Sequence, residues 1–416
     1  MNHRQWLPVV LLVLFTLNSP VISGEWTRFR GPNGSGVSNA TTVPIQWTEK
    51  DYNWKIKLPG VGHSSPVLWG DRIFLTCTEK SAAKGTIVCL STEDGRILWE
   101  RGYETKTRAQ HADNCFASST PVVDEKCVCV TWGASDQLML LALDHDGHDR
   151  WRRNLGVFQC GHGTAISPIV CGDLLVLAND DRVNAFLVAV DRATGTTRWR
   201  IDRRSAKASY ATPCIFKPKD GPEQLIFGST AEGLAGVDPP TGTVNWQISE
   251  LPRNTPSTRW ISSPTTAHGL VIATYAVGSH GLEMIAVRPG SKAKHTAPLV
   301  EYTIDTCVPS VPCPLVNGEL LFLCTNDGIL SCHRVMTGER LWSERLGADF
   351  YASPVCVHDR LYCISKDGVV FVLATSETFK LLARNSLGEL TYATPAIAGG
   401  RMYLRTYSHL MSLGGK

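Results

Sequence analysis

The sequence predicts an all-β protein, an eight-bladed β-propeller, from three observations. A Pro preceded by small polar residues returns at Pro66, Pro121, Pro168, Pro213, Pro264, Pro314, Pro354 and Pro395, at intervals of roughly 40–55 residues, which is the period of a propeller blade. Each Pro opens a short apolar run between turn residues, as in Val67-Leu68-Trp69 and Val355-Cys356-Val357. A Gly turn then precedes a Trp by four positions at Trp99, Trp151, Trp199, Trp246 and Trp342. No stretch beyond residue 23 sustains a helical apolar period.

The third unit displays one blade in full. Residues 167–170 open the first strand, 174–178 form the second and 185–190 the third. The turn Asp191-Arg192-Ala193-Thr194-Gly195 leads into the fourth strand, residues 197–200. Asp suits that turn because its carboxylate bonds the backbone just ahead, and Gly because the turn needs a positive φ. Residues 236–246 repeat the block closely, 337–342 keep its second half, and 89–99 and 144–151 are looser copies. The fifth and seventh units lack the Trp. A large flat side chain at a fixed place in each unit suits packing between adjacent sheets, so Trp54, Trp99, Trp151, Trp199, Trp246 and Trp342 read as blade-packing residues.

The eighth unit stops after three strands, at residues 396–397, 402–404 and 409–413. Near the other end, residues 53–58 (Asn-Trp-Lys-Ile-Lys-Leu) look like a fourth strand with no first three before it. Joining the two closes the ring and removes two exposed sheet edges. Seven blades is the alternative if the fifth or eighth unit is not a full sheet. Residues 1–23 read as an export signal: Arg4, an apolar run over 7–17 and small residues before Gly24. Residues 24–62 then form a lead-in segment with the ring-closing strand, and 63–416 the repeats. No later run is long and apolar enough to span a membrane, and no Cys precedes Cys77 to take a lipid anchor. The chain is expected to be exported, periplasmic or extracellular, and monomeric.

Fourteen cysteines in an exported chain raise the question of disulfides. Most fall inside apolar strand patterns, where Cys acts as a small hydrophobe. Cys127 and Cys129 share one strand face and are poorly placed to bond each other. Cys356 and Cys363 would face each other across a tight turn at Asp359-Arg360, the one disulfide the spacing suggests. No C-x-x-C occurs, which excludes a zinc ribbon, a thioredoxin-like site and a c-type haem attachment. With 41 Lys and Arg against 38 Asp and Glu, the formal charge is +3. The densest basic cluster, Arg203, Arg204 and Lys207, reads as a solvated connection, and no nucleic-acid partner is expected.

The A-x-D-x-x-T-G-x-x-x-W block, best kept at 189–199 and 236–246, resembles the pyrroloquinoline quinone (PQQ) repeat. The segment Trp26-Thr27-Arg28-Phe29-Arg30-Gly31-Pro32-Asn33-Gly34 is similar to the leading peptide of exported bacterial PQQ-like propellers. Two groups of that superfamily frame the function. Quinoprotein alcohol dehydrogenases carry PQQ and calcium beneath a disulfide of adjacent cysteines. The propeller subunit of the outer-membrane β-barrel assembly machinery binds proteins and catalyses nothing. This chain has no Cys-Cys pair, and none of the calcium ligands can be placed on it. The resemblance implies a non-catalytic scaffold that binds a protein or peptide in the cell envelope, with no cofactor. A PQQ-dependent dehydrogenase and a sensor of a small ligand or carbohydrate are the alternatives.

Residues just before each first strand should ring one mouth of the central channel. They are His63, Asn114, His162, Tyr210, Arg259 with Trp260, Tyr351 and Tyr392, a mix of aromatic and hydrogen-bonding groups suited to holding a ligand. A metal between His63 and His162 would need a third ligand, His111 or Asp113; the reading is that no metal binds. Residues 144–149 lack the downstream Glu of a calcium loop and fall on a repeated turn. Residues 31–36 mimic a phosphate loop without joining a strand to a helix, and read as a flexible lead-in. No G-x-S-x-G, H-E-x-x-H or spaced carboxylate pair suggests hydrolysis.

Overall fold

A computed structural model describes residues 25–79, 84–104, 113–133, 137–159, 163–204, 207–249, 251, 258–277, 282–291 and 295–415. Its strands form eight small sheets, antiparallel apart from one short added strand, one for each Pro-led unit. In blade three the order is Ile169–Cys171, Leu174–Asn179, Phe186–Asp191 and Thr197–Asp202 from inside to outside, close to the boundaries the sequence predicts. The ring closes as expected. Tyr52–Lys57 pairs antiparallel with His409–Gly414, with Trp54 opposite Ser412, so blade eight borrows its outer strand from the other end of the chain. That settles the count at eight. Blades five and seven gain an extra strand each: Thr258–Arg259 joins the former, and Val37–Ser38 lies parallel to Val355–Val357 in the latter.

The apolar residues are buried between blades rather than in one central core. One cluster joins blades one and two through Phe74, Ile87, Val130 and Leu141. Another joins three and four, and the largest ties blades seven, eight and one to Trp26, Val43, Trp47 and Trp54. Each blade thus depends on two neighbours, the reason a ring needs all its units.

The repeated block has a mechanical meaning. Asp191 accepts hydrogen bonds from the Ala193 and Thr194 amides at 3.1 and 3.0 Å, and Asp238 repeats this with Thr241. A β-bulge follows each turn and brings the Trp opposite a small residue: Trp199 faces Ala189, Trp246 faces Gly236 and Trp151 faces Ala142. The Trp then reaches the next blade. Its indole N–H donates to a carbonyl of that blade's turn: Trp54 to Thr92 at 3.1 Å, Trp99 to His145 at 2.7 Å, Trp151 to Arg192 at 2.9 Å, Trp199 to Pro239 at 2.7 Å and Trp342 to Ser376 at 3.0 Å. The first four rings lie against the turn glycines Gly95, Gly147, Gly195 and Gly242. In the Trp-less fifth blade Tyr302 does this job, its ring on Gly338 and its hydroxyl on the Val335 carbonyl. Trp246 departs from the pattern and donates to Gln224 within its own blade at 2.7 Å.

The small residue before each Pro builds a second belt near the axis. Its amide donates to the side chain of the matching residue in the next blade: Ser65 to Thr120, Thr120 to Ser167, Thr212 to Ser263, Ser263 to Cys313, Cys313 to Ser353 and Ser353 to Thr394, at 2.9–3.3 Å. Pro supplies no N–H and holds its predecessor extended, so that predecessor's amide is aimed sideways at the neighbour.

The segment over residues 31–36 is not a loose lead-in. Residues 26–38 cross the propeller axis and bond to the inner strands: Leu68 to the Trp26 carbonyl, Val123 to Thr27, Ile215 to Asn33 and Cys356 to Gly36, at 2.8–2.9 Å. Gly31, at φ 63°, sits against the Trp26 ring, where a Cβ would come within 2.5 Å. Cys356 and Cys363 do not pair, because the turn registers Val357 with Arg360 and so sets Cys356 against Leu361. Every described Cys is a free thiol; the Cys127 and Cys129 sulfurs share a thiol hydrogen bond at 3.6 Å and form no disulfide. Arg203 is not solvated but buried in an ion pair with Asp180. The export signal lies outside the described residues. Among the described residues no helix is long and apolar enough to cross a membrane.

Candidate functional site

The belt and the crossing peptide together shape a cavity of about 400 Å³ on the axis. Phe29, from the crossing peptide, forms its floor; Ser65, Thr120, Ser167 and Thr212 of the belt stand in its wall. The far end is the mouth, made by connections that lead from one blade's outer strand to the next blade's inner strand. The hairpin turns between second and third strands reach the same end.

Of the residues the sequence places at this mouth, His63, Asn114, Tyr210, Arg259, Tyr351 and Tyr392 line the cavity. Trp260 does not. It is fully buried, its ring stacked on Tyr275 at 5.3 Å and pressed against Gly228. Alternation explains this: Arg259 faces the channel, so its neighbour faces the sheet. His162 and His111 lie outside the described residues. Among the described residues no three His, Cys, Asp or Glu side chains come together as a metal site.

One side of the mouth holds a charged and aromatic cluster. The Asp113 carboxylate accepts from the Tyr351 hydroxyl at 3.1 Å, the Tyr392 hydroxyl at 3.1 Å and the Lys366 ammonium at 3.0 Å. Lys366 also stands 4.4 Å from the Tyr351 ring centroid and 5.2 Å from that of Tyr392, within cation–π range. The two Tyr rings meet edge to face at 5.1 Å, and His63 stacks on Tyr392 at 4.5 Å. The Lys366 hydrogen bond, with those of the two tyrosines, holds Asp113 below the usual carboxylate range. Burial pushes both tyrosines up, with Asp113 adding to the effect. Burial, reinforced by the nearby Arg405 guanidinium, drives His63 down to about 3. His63 is therefore neutral at physiological pH.

The other polar groups are engaged in shaping the rim. Asn114 accepts the Cys115 amide at 2.8 Å, and Asn326 accepts the Ser310 and Val311 amides at 3.0 and 3.1 Å. Lys366, Asn326 and Phe29 are the residues sequence reasoning missed. Lys366-Asp367-Gly368 and Asn326-Asp327-Gly328 stand at matching places in their units, and counting strands puts both turns at the mouth. Nothing in the sequence announces that the leading peptide would floor the cavity.

A family model described as outer membrane protein assembly factor BamB matches residues 38–207 and 83–344. No curated protein matches the chain. Solved structures give the fold. BamB from Moraxella catarrhalis superposes with a TM-score of 0.62 at 15% identity, over 89% of this chain and 96% of that one. A europium-containing methanol dehydrogenase gives 0.66 at 11% identity, over 91% and 89%. The quinohemoprotein alcohol dehydrogenase of Comamonas testosteroni gives 0.52 at 11%, over 94% and 80%. At these identities the likeness is one of architecture, which BamB and dehydrogenases share. The family match is more telling, since it spans over half of the sequence: the chain belongs to the PQQ-like β-propeller family described by outer membrane protein assembly factor BamB.

Proposed function

We propose that this propeller is an exported, monomeric, non-catalytic scaffold of the cell envelope that holds a segment of another protein in its axial funnel. The observation that carries the reading is the mouth itself. Tyr351, Tyr392 and Tyr210 line it beside Asp113 and Arg259, over a wall of hydroxyls, with Lys366 bonded to Asp113 and His63 stacked on Tyr392. Such a surface grips a peptide by aromatic contact and hydrogen bonds at small entropic cost, because Tyr has few rotamers to lose. The family match and the BamB likeness support a protein partner, and the expected export signal supports the envelope.

A calcium-borne quinone suits this cavity poorly. Calcium takes about six to eight oxygen ligands. Among the described residues one carboxylate lines the cavity, Asp113, and Lys366 with two tyrosines already hold it.

The test is a comparison between the mature protein and its Tyr351→Ala and Lys366→Ala variants, each immobilised in envelope extract and checked for unchanged circular dichroism. The scaffold reading expects a stoichiometric protein partner that crosslinks to residues at the mouth and falls at least roughly tenfold in the variants, the scale set by losing one interfacial aromatic anchor. A partner that binds wild type and both variants alike would remove the funnel from the explanation. A bound chromophore and dye-linked alcohol oxidation on adding PQQ and calcium would overturn the reading in favour of a dehydrogenase. Saturable thermal stabilisation by a sugar, with no protein partner, would overturn it in favour of a sensor.

A further inference from the structure

The crossing peptide carries two buried positive charges that no carboxylate neutralises among the described residues. Arg28 is 6% exposed and Arg30 fully buried. Arg28 donates to the Pro213 carbonyl, and Arg30 to the Pro314 carbonyl at 2.9 Å and the Ser35 carbonyl at 3.3 Å. These bonds use one nitrogen of each guanidinium. The Nε of Arg28 and the Nε and Nη1 of Arg30 are buried without a hydrogen-bond partner. Neither Arg belongs to an ion pair among the described residues, in contrast to the buried Arg203, which has Asp180.

The ionisable neighbours are thiols, which offset only part of the cost: Cys214 favours the charge on both guanidiniums, and Cys313 hydrogen-bonds to Arg30. Cys214 and Cys313 flank the pair. Burial raises the Cys214 thiol to about 12, so it stays neutral. Burial is also the chief force lowering both guanidiniums, and Arg30 lowers Arg28 further, yet Arg28 still titrates only near 10. Arginine is not deprotonated in proteins, so both carry their charge into the fold. A buried ion without a counterion is among the costliest arrangements in a protein. Glycines stand at both heads: Gly34, at φ 70°, and Gly36, at φ 72°. A Cβ on Gly36 would lie 3.1 Å from the Arg30 Nε, and one on Gly34 would lie 3.4 Å from the Arg28 Nη2. Backbone at these glycines therefore approaches the guanidiniums more closely than any side chain would allow.

We infer that the crossing peptide holds a small inorganic anion of halide size, bound by the unpartnered N–H groups of Arg28 and Arg30 beneath the Phe29 floor. A monatomic ion accepts several N–H bonds without a demand on direction, and Phe29 separates it from anything seated in the funnel. The site neutralises the peptide that ties the inner strands together.

The experiment measures thermal unfolding of the mature protein at constant ionic strength while chloride replaces gluconate, an anion too large for the site. The midpoint should rise and saturate with chloride; at an excess of about 100-fold over the dissociation constant, the folding equilibrium gains about 100-fold. Crystals soaked in bromide should show an anomalous peak within reach of both guanidiniums. Arg30→Met, which keeps the volume and removes the charge, should flatten the chloride dependence, and Arg28→Met serves if that variant does not fold. Equal midpoints in the two salts for the wild type, or ordered water with no anomalous peak at the guanidiniums, would overturn the inference.

Discussion

His63 shows how one residue at the mouth ties the site to stability. It stacks on Tyr392, tilts against Tyr407 at 5.4 Å and lies near the buried Arg405. In the unfolded chain it titrates near 6.5, and in the fold near 3. Above pH 6.5 both states leave it neutral, and it contributes no pH dependence. As pH falls from there toward 3, the unfolded chain takes up a proton that the folded one refuses, so stability is lost at about 1.4 kcal/mol per pH unit. His63→Gln removes that proton from the balance. Urea unfolding of both proteins at pH 7, 6, 5 and 4 should show the gap between them shift by about that amount per unit below 6.5, with the variant the less acid-sensitive. Parallel pH profiles would mean that the ring is protonated freely in the fold, and the buried stack on Tyr392 would have to be abandoned.

At the scale of elements, stability comes from the joint between one blade's outer strand and the next blade's turn. Gly195 makes the test clean. It has φ 72°, and a Cβ there would fall 2.7 Å from the Trp151 ring. Gly172, in the same blade, has φ 58° with nothing within 4 Å of its Cβ position. His358 holds that hairpin place in blade seven at φ 58°, so a side chain is tolerated there. Gly172→Ala should therefore cost about 1 kcal/mol or less, the strain alone, and Gly195→Ala about 2–3 kcal/mol, strain plus the displaced indole. In a Trp151→Ala background the penalty at Gly195 should shrink toward the Gly172 value, the non-additivity of groups in contact. Additive losses would show that the ring does not rest on the turn. This joint was half legible in the sequence. Spacing located Gly and Trp because both recur by residue type. It did not reveal that Ala189 is small to admit Trp199, which depends on a bulge, or that Tyr302 replaces a Trp, which depends on a turn 33 positions away.

At the scale of the whole molecule, ring closure could be deduced because a three-stranded unit at one end and an orphan strand at the other leave two costly edges. The rim of the funnel was partly legible for the same topological reason, while its floor was not: residues 26–38 bond to sites up to some 320 positions away, as in Gly36 with Cys356, and carry no periodic mark. One segment therefore both closes the ring, through Tyr52–Lys57, and plugs it. Removing residues 1–58 should expose the edge of His409–Gly414, strip Trp54 from Gly95 and open the largest interblade cluster. Because each blade is held by its two neighbours, the loss should spread: the truncated chain should sediment as oligomers and unfold without a single sharp transition. A peptide of residues 24–58 added in trans should restore a monomer with near-native near-ultraviolet circular dichroism, since its strand and its crossing segment need no covalent link to the repeats to make their bonds. The same peptide with Trp54→Ala and Ile56→Asp keeps the crossing segment but spoils the strand, and should fail. A truncated chain that stays monomeric with an unchanged midpoint would show that the remaining repeats hold the ring without their N-terminal clasp.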